Sequence, residues 1–329
     1  MQVPPPFNLS KDTSNSYCRP SWAQLFAGAV RVVAVPLLLT GTLLAAGGTL
    51  THAQQSPRTE SFGAKDFARV RCSLDSQDTF FTWSGSIYSF VPGEAQRRLF
   101  TLEAMSVARC LPNPDGSWTL TSRELSYYLD PSSGRPLFTW RNPWTEEVVP
   151  VVHVANSPVQ NTLTGSFVAT ATGRDWSFPV DVPLTYPNPL SVDPRYIPYS
   201  SGPLYQAGEF FKFFVNQQEL QDSSSGLAQV DLGWVRSGPW LPWMKMGTRP
   251  GSLVYTAQGS KVQSFEDLPE LLKEEINARL PLYRSAPLCR LAAPNATSWN
   301  YFIRYFDAYL RAERFPIPAA DDPQEICAG

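Results

Sequence analysis

The chain has 329 residues, of which 43% are hydrophobic and 17% charged, so it can bury a sizeable core and is not disordered by composition. Its 31 prolines and 13% aromatic residues favour short strands and turns over long solvated helices. The formal net charge of −2 provides no basic surface, so we expect no nucleic acid as a partner.

The first 53 residues are predicted to be a targeting segment. A polar stretch with three basic residues precedes the uncharged run VVAVPLLLTGTLLAAGGTL, which ends just before Thr51-His52-Ala53. The small residues here favour a signal peptide that is cleaved after Ala53. The run of about 20 uncharged residues is also long enough for an uncleaved membrane anchor, and a membrane would be a partner only in that case. Both alternatives predict an extracytoplasmic body, in the periplasm, in the thylakoid lumen, secreted, or anchored and facing outward.

The cysteine count fits such a compartment. Removing residues 1–53 removes Cys18 and leaves four cysteines, an even number where disulfides are permitted. Cys72 and Cys110 lie in runs that could form neighbouring strands, and Cys289 and Cys327 flank a predicted C-terminal helix. We therefore expect the pairs Cys72 with Cys110 and Cys289 with Cys327, with buried free thiols as the alternative.

Residues 54–66 are predicted to be a polar linker, and residues 67–329 a single β-rich domain. Alternating, aromatic and β-branched residues predict strands in these runs: FARVRCSL, TFFTWSGSIYSF, RRLFTLEAMSVARC, SWTLTSRELSYYL, VVPVVHV, TLTGSFVATATG, DWSFPVDVPLTY, GEFFKFFVNQQEL, GLAQVDLGWVRSG and SLVYTAQGSKV. Clusters of Pro, Gly, Asn and Asp separate many of them at hairpin spacing. Consecutive hairpins of this kind predict one antiparallel sheet.

Two helices are predicted near the C-terminus. Ser264 stands three residues before Asp267, as in a capping box, and leucines and Ile276 repeat behind it at helical spacing. A second, very aromatic helix is predicted from Ser298 onward. The fold prediction is therefore a mainly β domain: an antiparallel meander of about ten strands curved into a lipocalin-like or barrel-like sheet, with two C-terminal helices packed on it.

The densest chemistry lies between Tyr127 and Asn156, and a second aromatic run, SGPWLPWMKMGTRPGSLVY, follows later. Large apolar side chains on proline-interrupted loops are costly unless they cover something. They are predicted to wall a cavity for an apolar or aromatic small molecule, or, alternatively, to plug the barrel. The candidate ligand-binding residues are Trp83, Tyr88, Trp140, Arg141 (predicted to be buried), Trp144, Trp240, Trp243 and Met246.

His153 is the candidate catalytic residue, because its side chain ordinarily titrates near neutral pH. On a predicted strand from Val148 to Val154 it could act as a general base or a haem ligand, or it could be a core histidine that is satisfied by its neighbours. Glu103 and Glu124 lie among apolar residues, where a carboxylate either titrates abnormally or forms an ion pair with an arginine such as Arg109, Arg123 or Arg141. Familiar metal, phosphate and nucleophile motifs are missing, so we expect no metal and no cofactor.

Several long blocks carry a family resemblance: NPWTEEVVPVVHVANSPV, LFTLEAMSVARCLP, ELSYYLDPSSGRPLFTW, PWLPWMKMGTRPGSLVYTAQG and PNATSWNYF. They resemble DUF1838, an uncharacterised bacterial and fungal family, over roughly Phe67 to Phe306. The resemblance implies no reaction and no catalytic residues. The predicted leader and the paired cysteines depart from it and put a cytoplasmic role in doubt.

Three functions are compatible with these observations. The leading expectation is an exported module that binds an apolar or aromatic small molecule. The second is an isomerase or cyclase that uses His153 in the same cavity. The third is a structural or assembly protein with a filled barrel and exposed aromatic loops. The sequence does not indicate an oligomeric state.

Overall fold

The structure, a computed structural model, describes residues 58–318 and 326–328. The predicted targeting segment, residues 1–53, and residues 54–57 of the predicted linker lie outside these residues. Among the described helices, none combines the length and the apolar character that a membrane span requires.

Strands dominate the described part of the chain. They are β1 (Thr59–Gly63), β2 (Thr79–Phe90), β3 (Arg97–Pro112), β4 (Trp118–Leu129), β5 (Thr139–Arg141), β6 (Val148–Pro150), β7 (Val154–Leu163), β8 (Ser166–Thr172), β9 (Asp175–Pro187), β10 (Leu204–Asn216), β11 (Val230–Gly238) and β12 (Ser252–Val262). The helices are α1 (Ala64–Arg71), α2 (Gln217–Gln221), α3 (Glu270–Ala278), α4 (Ser298–Arg304) and α5 (Phe306–Leu310).

Ten of these strands form one antiparallel sheet. Their order is β1-β8-β9-β10-β11-β12-β2-β3-β4-β7, and β5 pairs with β6 in a separate ribbon. The sheet curls, but β1 and β7 at the two ends of the order do not pair with each other. The result is a half-barrel and not a closed barrel. The predicted mainly β, barrel-like architecture is confirmed, with an open side where a closed barrel would have none.

Two glycines permit tight curling between β2 and β12. A Cβ atom on Gly85 would lie 2.0 Å from the backbone oxygen of Thr256, and one on Gly259 would lie 2.0 Å from the backbone oxygen of Thr82. No side chain fits such an approach, so only glycine allows the two strands this geometry. We infer that these glycines help to set the curvature of the sheet.

Helix α1 lies on the concave side of the sheet. It contacts β3, β4 and β7 from one end of the strand order and β1 and β8 from the other end, which is possible only where the two ends approach each other. Its buried Phe67 and Val70 pack in one core cluster with Phe81, Phe178 and Phe213. α1 therefore fills one end of the half-barrel.

The convex face of the sheet is covered by α3, and the other end of the half-barrel is covered by the loop between β11 and β12. On the convex face, Leu272 and Ile276 of α3 belong to the same core cluster as Leu125 of β4. At the other end of the barrel, Trp243 contacts Phe100 and Tyr128. The predicted second C-terminal helix is divided at Tyr305 into α4 and α5.

Two local predictions were wrong. Residues 59–63 of the predicted linker form β1, and most of the run FARVRCSL belongs to α1. The alternation of Phe67, Arg69 and Arg71 resembles a strand, but Phe67 and Val70 are also spaced for one face of a helix. The helix prevails because both side chains are buried and because the Asp66 carboxylate accepts a hydrogen bond from the amide of Gly63 at its start.

Both expected disulfides are present. Cys72 is bonded to Cys110 and Cys289 to Cys327, and each bond joins residues 38 positions apart. The first bond ties the C-terminal end of α1 to the concave face of β3. Both bonds are compatible with an extracytoplasmic location.

We expect the double substitution Cys72→Ser and Cys110→Ser to lower the free energy of unfolding by roughly 2 to 4 kcal/mol, because the open chain gains entropy in the unfolded state. Urea denaturation of the oxidised wild type and the variant measures this difference. Under a thiol reductant the two proteins should unfold at closer midpoints. Equal midpoints without reductant would contradict the prediction.

Candidate functional site

On the concave side of the sheet, next to α1, a group of inward-facing side chains is only half-buried, and we call this region the cleft. We define the cleft by these half-buried, inward-facing side chains. Cross-strand pairing places them on the same face of the sheet as the core residues around α1. They are Trp83, Glu124, Ser126, Asn156, Val180, Val182, Glu209, Phe211 and Trp234.

Strand pairing places these residues side by side. Phe211 of β10 lies opposite Trp234 of β11, and their ring centroids are 6.3 Å apart. On the facing wall, Glu124 of β4 lies opposite Asn156 of β7. The aromatic side chains of the cleft thus lie on β10, β11 and β2, whereas β4 and β7 contribute the polar side chains Glu124, Ser126 and Asn156.

Several polar atoms around the cleft have no hydrogen-bond partner among the described residues. They are Arg71 Nε, Ser106 Oγ, Asn156 Oδ1, Trp234 Nε1 and Arg236 Nη1. Buried polar atoms in folded proteins are normally hydrogen-bonded to protein or to water. Their concentration on the concave side marks it as a place where a bound molecule would gain hydrogen bonds.

Glu124 is the most perturbed carboxyl group in the cleft. Its burial raises its pKa, and the negative charge of Glu209 across the cleft adds to this effect. A hydrogen bond from Asn156 Nδ2 to Glu124 Oε2, at 3.3 Å, and the positive charge of Arg71 act in the opposite direction. Glu124 therefore holds its proton at a higher pH than a free glutamate does, and it can donate or accept hydrogen bonds.

The cationic partner of Glu209 is Arg236. Its Oε1 lies 3.4 Å from Arg236 Nε, and Arg236 Nη2 donates a 2.7 Å hydrogen bond to the hydroxyl of Tyr205. The Arg236 guanidinium also lies over the ring of Tyr255, 5.1 Å from its centroid. This cluster lies at the end of the cleft away from α1.

His153 lies outside the cleft. It also lies outside a strand, because β6 ends at Pro150 and β7 begins only at Val154, so the predicted strand from Val148 to Val154 is interrupted. The imidazole is 1% exposed, and its Nδ1 accepts a 3.1 Å hydrogen bond from the amide of Tyr128. Burial lowers its pKa to about 3, so the ring is neutral and a weak base at physiological pH. These features favour a structural role.

The space beside His153 is small. About 10 Å³ is open to the centre of a water molecule, between His153, Tyr128 and Trp243. This is room for roughly one water, whereas sites for drug-sized molecules are typically hundreds of cubic ångströms. An organic substrate therefore has no room next to His153 in this structure.

Four of the five tryptophans that were predicted to wall a cavity pack in two pairs. The rings of Trp140 and Trp243 are 5.9 Å apart, and those of Trp144 and Trp240 are 5.0 Å apart. Trp243 is 2% exposed and Trp240 5% exposed. They fill this end of the half-barrel, which was the alternative interpretation of their sequence pattern.

The other candidate residues are dispersed. Met246 is buried, and its Sδ accepts a hydrogen bond from Asn142. Arg141, which was predicted to be buried, is exposed and bonded to Glu146 at 2.7 Å. Tyr88 follows an irregularity in β2 and lies away from the cleft side chains. Of the eight candidate ligand-binding residues, only Trp83 is one of the half-buried side chains that define the cleft.

Glu103 lies on the opposite face of β3 from Ser106, away from the cleft. Its burial raises its pKa, and its Oε1 has no hydrogen-bond partner among the described residues. Arg109 is paired elsewhere, with Asp78 at 2.8 Å. In the part of the chain that the structure describes, no group of three or more His, Cys, Asp or Glu side chains is placed to hold a metal ion.

Comparison with known proteins identifies one family. Residues 76–306 match the model of a family that is described as a protein of unknown function, DUF1838. No curated protein matches the chain. The matched range contains every strand that lines the cleft, from β2 to β12, whereas α1 and Arg71 precede it.

Proposed function

Since this chain belongs to the DUF1838 family, whose members are described only as proteins of unknown function, we propose its function from the cleft: it binds an apolar or aromatic small molecule there. The observation that carries the proposal is the set of half-buried aromatic side chains on the concave side, Trp83, Phe211 and Trp234. A ligand would remove their exposed area from water, which contributes about 25 cal/mol per Å².

The polar groups of the cleft fit the same function. Small-molecule sites combine apolar walls with a few polar groups that fix orientation. Asn156 and Trp234 each offer an unpartnered atom, one an acceptor and the other a donor.

The two other expectations have weaker support. Catalysis by His153 is disfavoured by its pKa of about 3 and by the small space beside it. A purely structural role agrees with the packed tryptophans but leaves the half-buried aromatic wall of the cleft unexplained. We also propose that the protein acts outside the cytoplasm, because the predicted leader and the two disulfides support the same compartment.

The proposal is tested by titration with the uncharged fluorescent probe N-phenyl-1-naphthylamine. We expect Phe211→Ala to weaken probe binding by about tenfold, because part of the apolar wall is lost. Phe210→Ala is the matched control on the same strand: Phe210 faces the opposite side and is 46% exposed. It should leave the probe affinity unchanged within about twofold.

Two results would contradict the proposal. One is that the wild type does not bind the probe. The other is that Phe210→Ala and Phe211→Ala weaken binding equally, since the probe would then be on the outer surface or on partly unfolded protein. Native mass spectrometry of the exported protein would show whether an organic molecule is retained.

A further inference from the structure

Arg71 is fixed at the end of α1 that reaches into the cleft. It is the last residue of the helix, and the next residue, Cys72, is bonded to Cys110 on the concave face of β3. Its guanidinium lies over two inward-facing rings, 4.9 Å from the centroid of Phe213 and 5.9 Å from that of Phe81. The helix, the disulfide and the two rings together hold this charge in one place.

No residue in the described part of the chain accepts a hydrogen bond from the Arg71 guanidinium. Its Nε is buried without a partner, and no hydrogen bond or salt bridge joins it to another described residue. Arg69, two residues earlier, shows the usual arrangement: its guanidinium donates to the carbonyls of Leu220, Glu219 and Asp222 at 2.7 to 2.9 Å. A guanidinium carries five N–H donors, and leaving the buried Nε–H of Arg71 unmet is unfavourable.

The surrounding charges do not meet this need. Glu124 interacts with Arg71 electrostatically but is not within salt-bridge distance. Lys261 Nζ, also on the concave side, is already bonded to the carbonyls of Arg69 and Cys72. Glu209 is paired with Arg236. Arg71 is thus a cation next to an apolar wall, and no acidic side chain among the described residues contacts it.

A carboxylate is a suitable partner for a guanidinium, because its two oxygens accept two parallel N–H hydrogen bonds. An apolar body attached to that carboxylate would contact the aromatic wall of Phe211 and Trp234. We propose that the natural ligand class is an amphipathic carboxylic acid, whose carboxylate binds Arg71 while its apolar part lies in the cleft. This inference rests on the proposed binding function.

The test compares trans-parinaric acid, a fluorescent polyene carboxylate, with its methyl ester. We expect Arg71→Gln to weaken binding of the acid by about 10-fold to 100-fold and to change binding of the ester by less than about twofold, because only the acid offers a charged acceptor. Arg71→Lys keeps the charge but not the two-pronged geometry, so its affinity for the acid should fall between those of the wild type and Arg71→Gln.

The matched control is Arg98→Gln, which changes the net charge equally at an exposed position on β3. It should leave binding of both probes unchanged. Urea midpoints of all variants check folding, and Arg71→Lys keeps the test decisive if Arg71→Gln is unstable.

The outcomes separate this inference from the proposed function. If the wild type binds neither probe, the proposed function fails and the inference with it. If the wild type binds both probes and Arg71→Gln weakens both equally or neither, the carboxylate assignment is overturned while the binding function stands. An equal loss of acid binding in Arg98→Gln and Arg71→Gln would also overturn it, because the effect would be general attraction of anions.

Discussion

Lowering the pH from 7 to 4 should destabilise the wild-type protein by about 3 kcal/mol more than a His153→Asn variant. The imidazole is buried and neutral in the folded state, with a pKa of about 3, whereas an unfolded histidine titrates near its ordinary value. Between these two pKa values the unfolded chain binds a proton that the folded protein does not. The stability that depends on His153 is therefore present above about pH 6.5 and is lost as the pH falls.

Asparagine is the matched replacement because its side-chain oxygen can accept the hydrogen bond that Nδ1 now accepts from the amide of Tyr128. Arg279 and Arg314 also lower the pKa of His153, and the Leu137 backbone opposes them, but all three are present in both proteins. Urea denaturation at several pH values gives the two curves. Parallel curves would show that His153 is not the group responsible.

Replacing Trp243 with alanine should lower the free energy of unfolding by about 3 to 5 kcal/mol, the usual cost of deleting a large buried side chain. The ring is 2% exposed and contacts Phe100, Tyr128 and Trp140. A cavity of this size cannot close without moving the surrounding rings.

Trp243→Phe is the control. Trp243 Nε1 has no hydrogen-bond partner among the described residues, so phenylalanine loses area but no hydrogen bond, and its cost should be clearly smaller. Thermal and urea unfolding measure both variants. If Trp243→Ala weakened probe binding in the cleft while leaving stability unchanged, Trp243 would be a ligand contact and the assignment of this end as filled core would be wrong.

Much of the sheet is readable from local sequence pattern. β2, β3, β4, β9 and β12 coincide closely with runs of alternating or aromatic residues, because strand pairing and one-sided burial leave a period of two in the sequence. The local sequence does not distinguish helix from strand at α1, because the apolar residues of this eight-residue segment fit both a two-residue period and a helical spacing. What decides between them is contact with strands that are distant in the sequence.

The candidate site was much less predictable. The tryptophans are large and clustered in sequence, but whether such residues line or fill a cavity depends on packing between distant elements. The cleft residues Trp83, Glu124, Phe211 and Trp234 come from four different strands and share no local motif. Their common feature is that they point to the same side of a curled sheet, and curvature is not visible in strand periodicity.

The position of β1 and α1 also has a consequence for how the protein acquires its fold. β1 comes early in the described chain, yet Thr59 pairs with Thr170 of β8, and α1 needs walls from both ends of the strand order before it can dock. Contacts between residues so far apart carry a large loop-closure entropy, which favours forming the central hairpins first. We therefore expect α1 to enter the half-barrel late, and interactions that form after the transition state mainly slow unfolding. On this basis, α1 has a larger effect on the rate of unfolding than on the rate of folding.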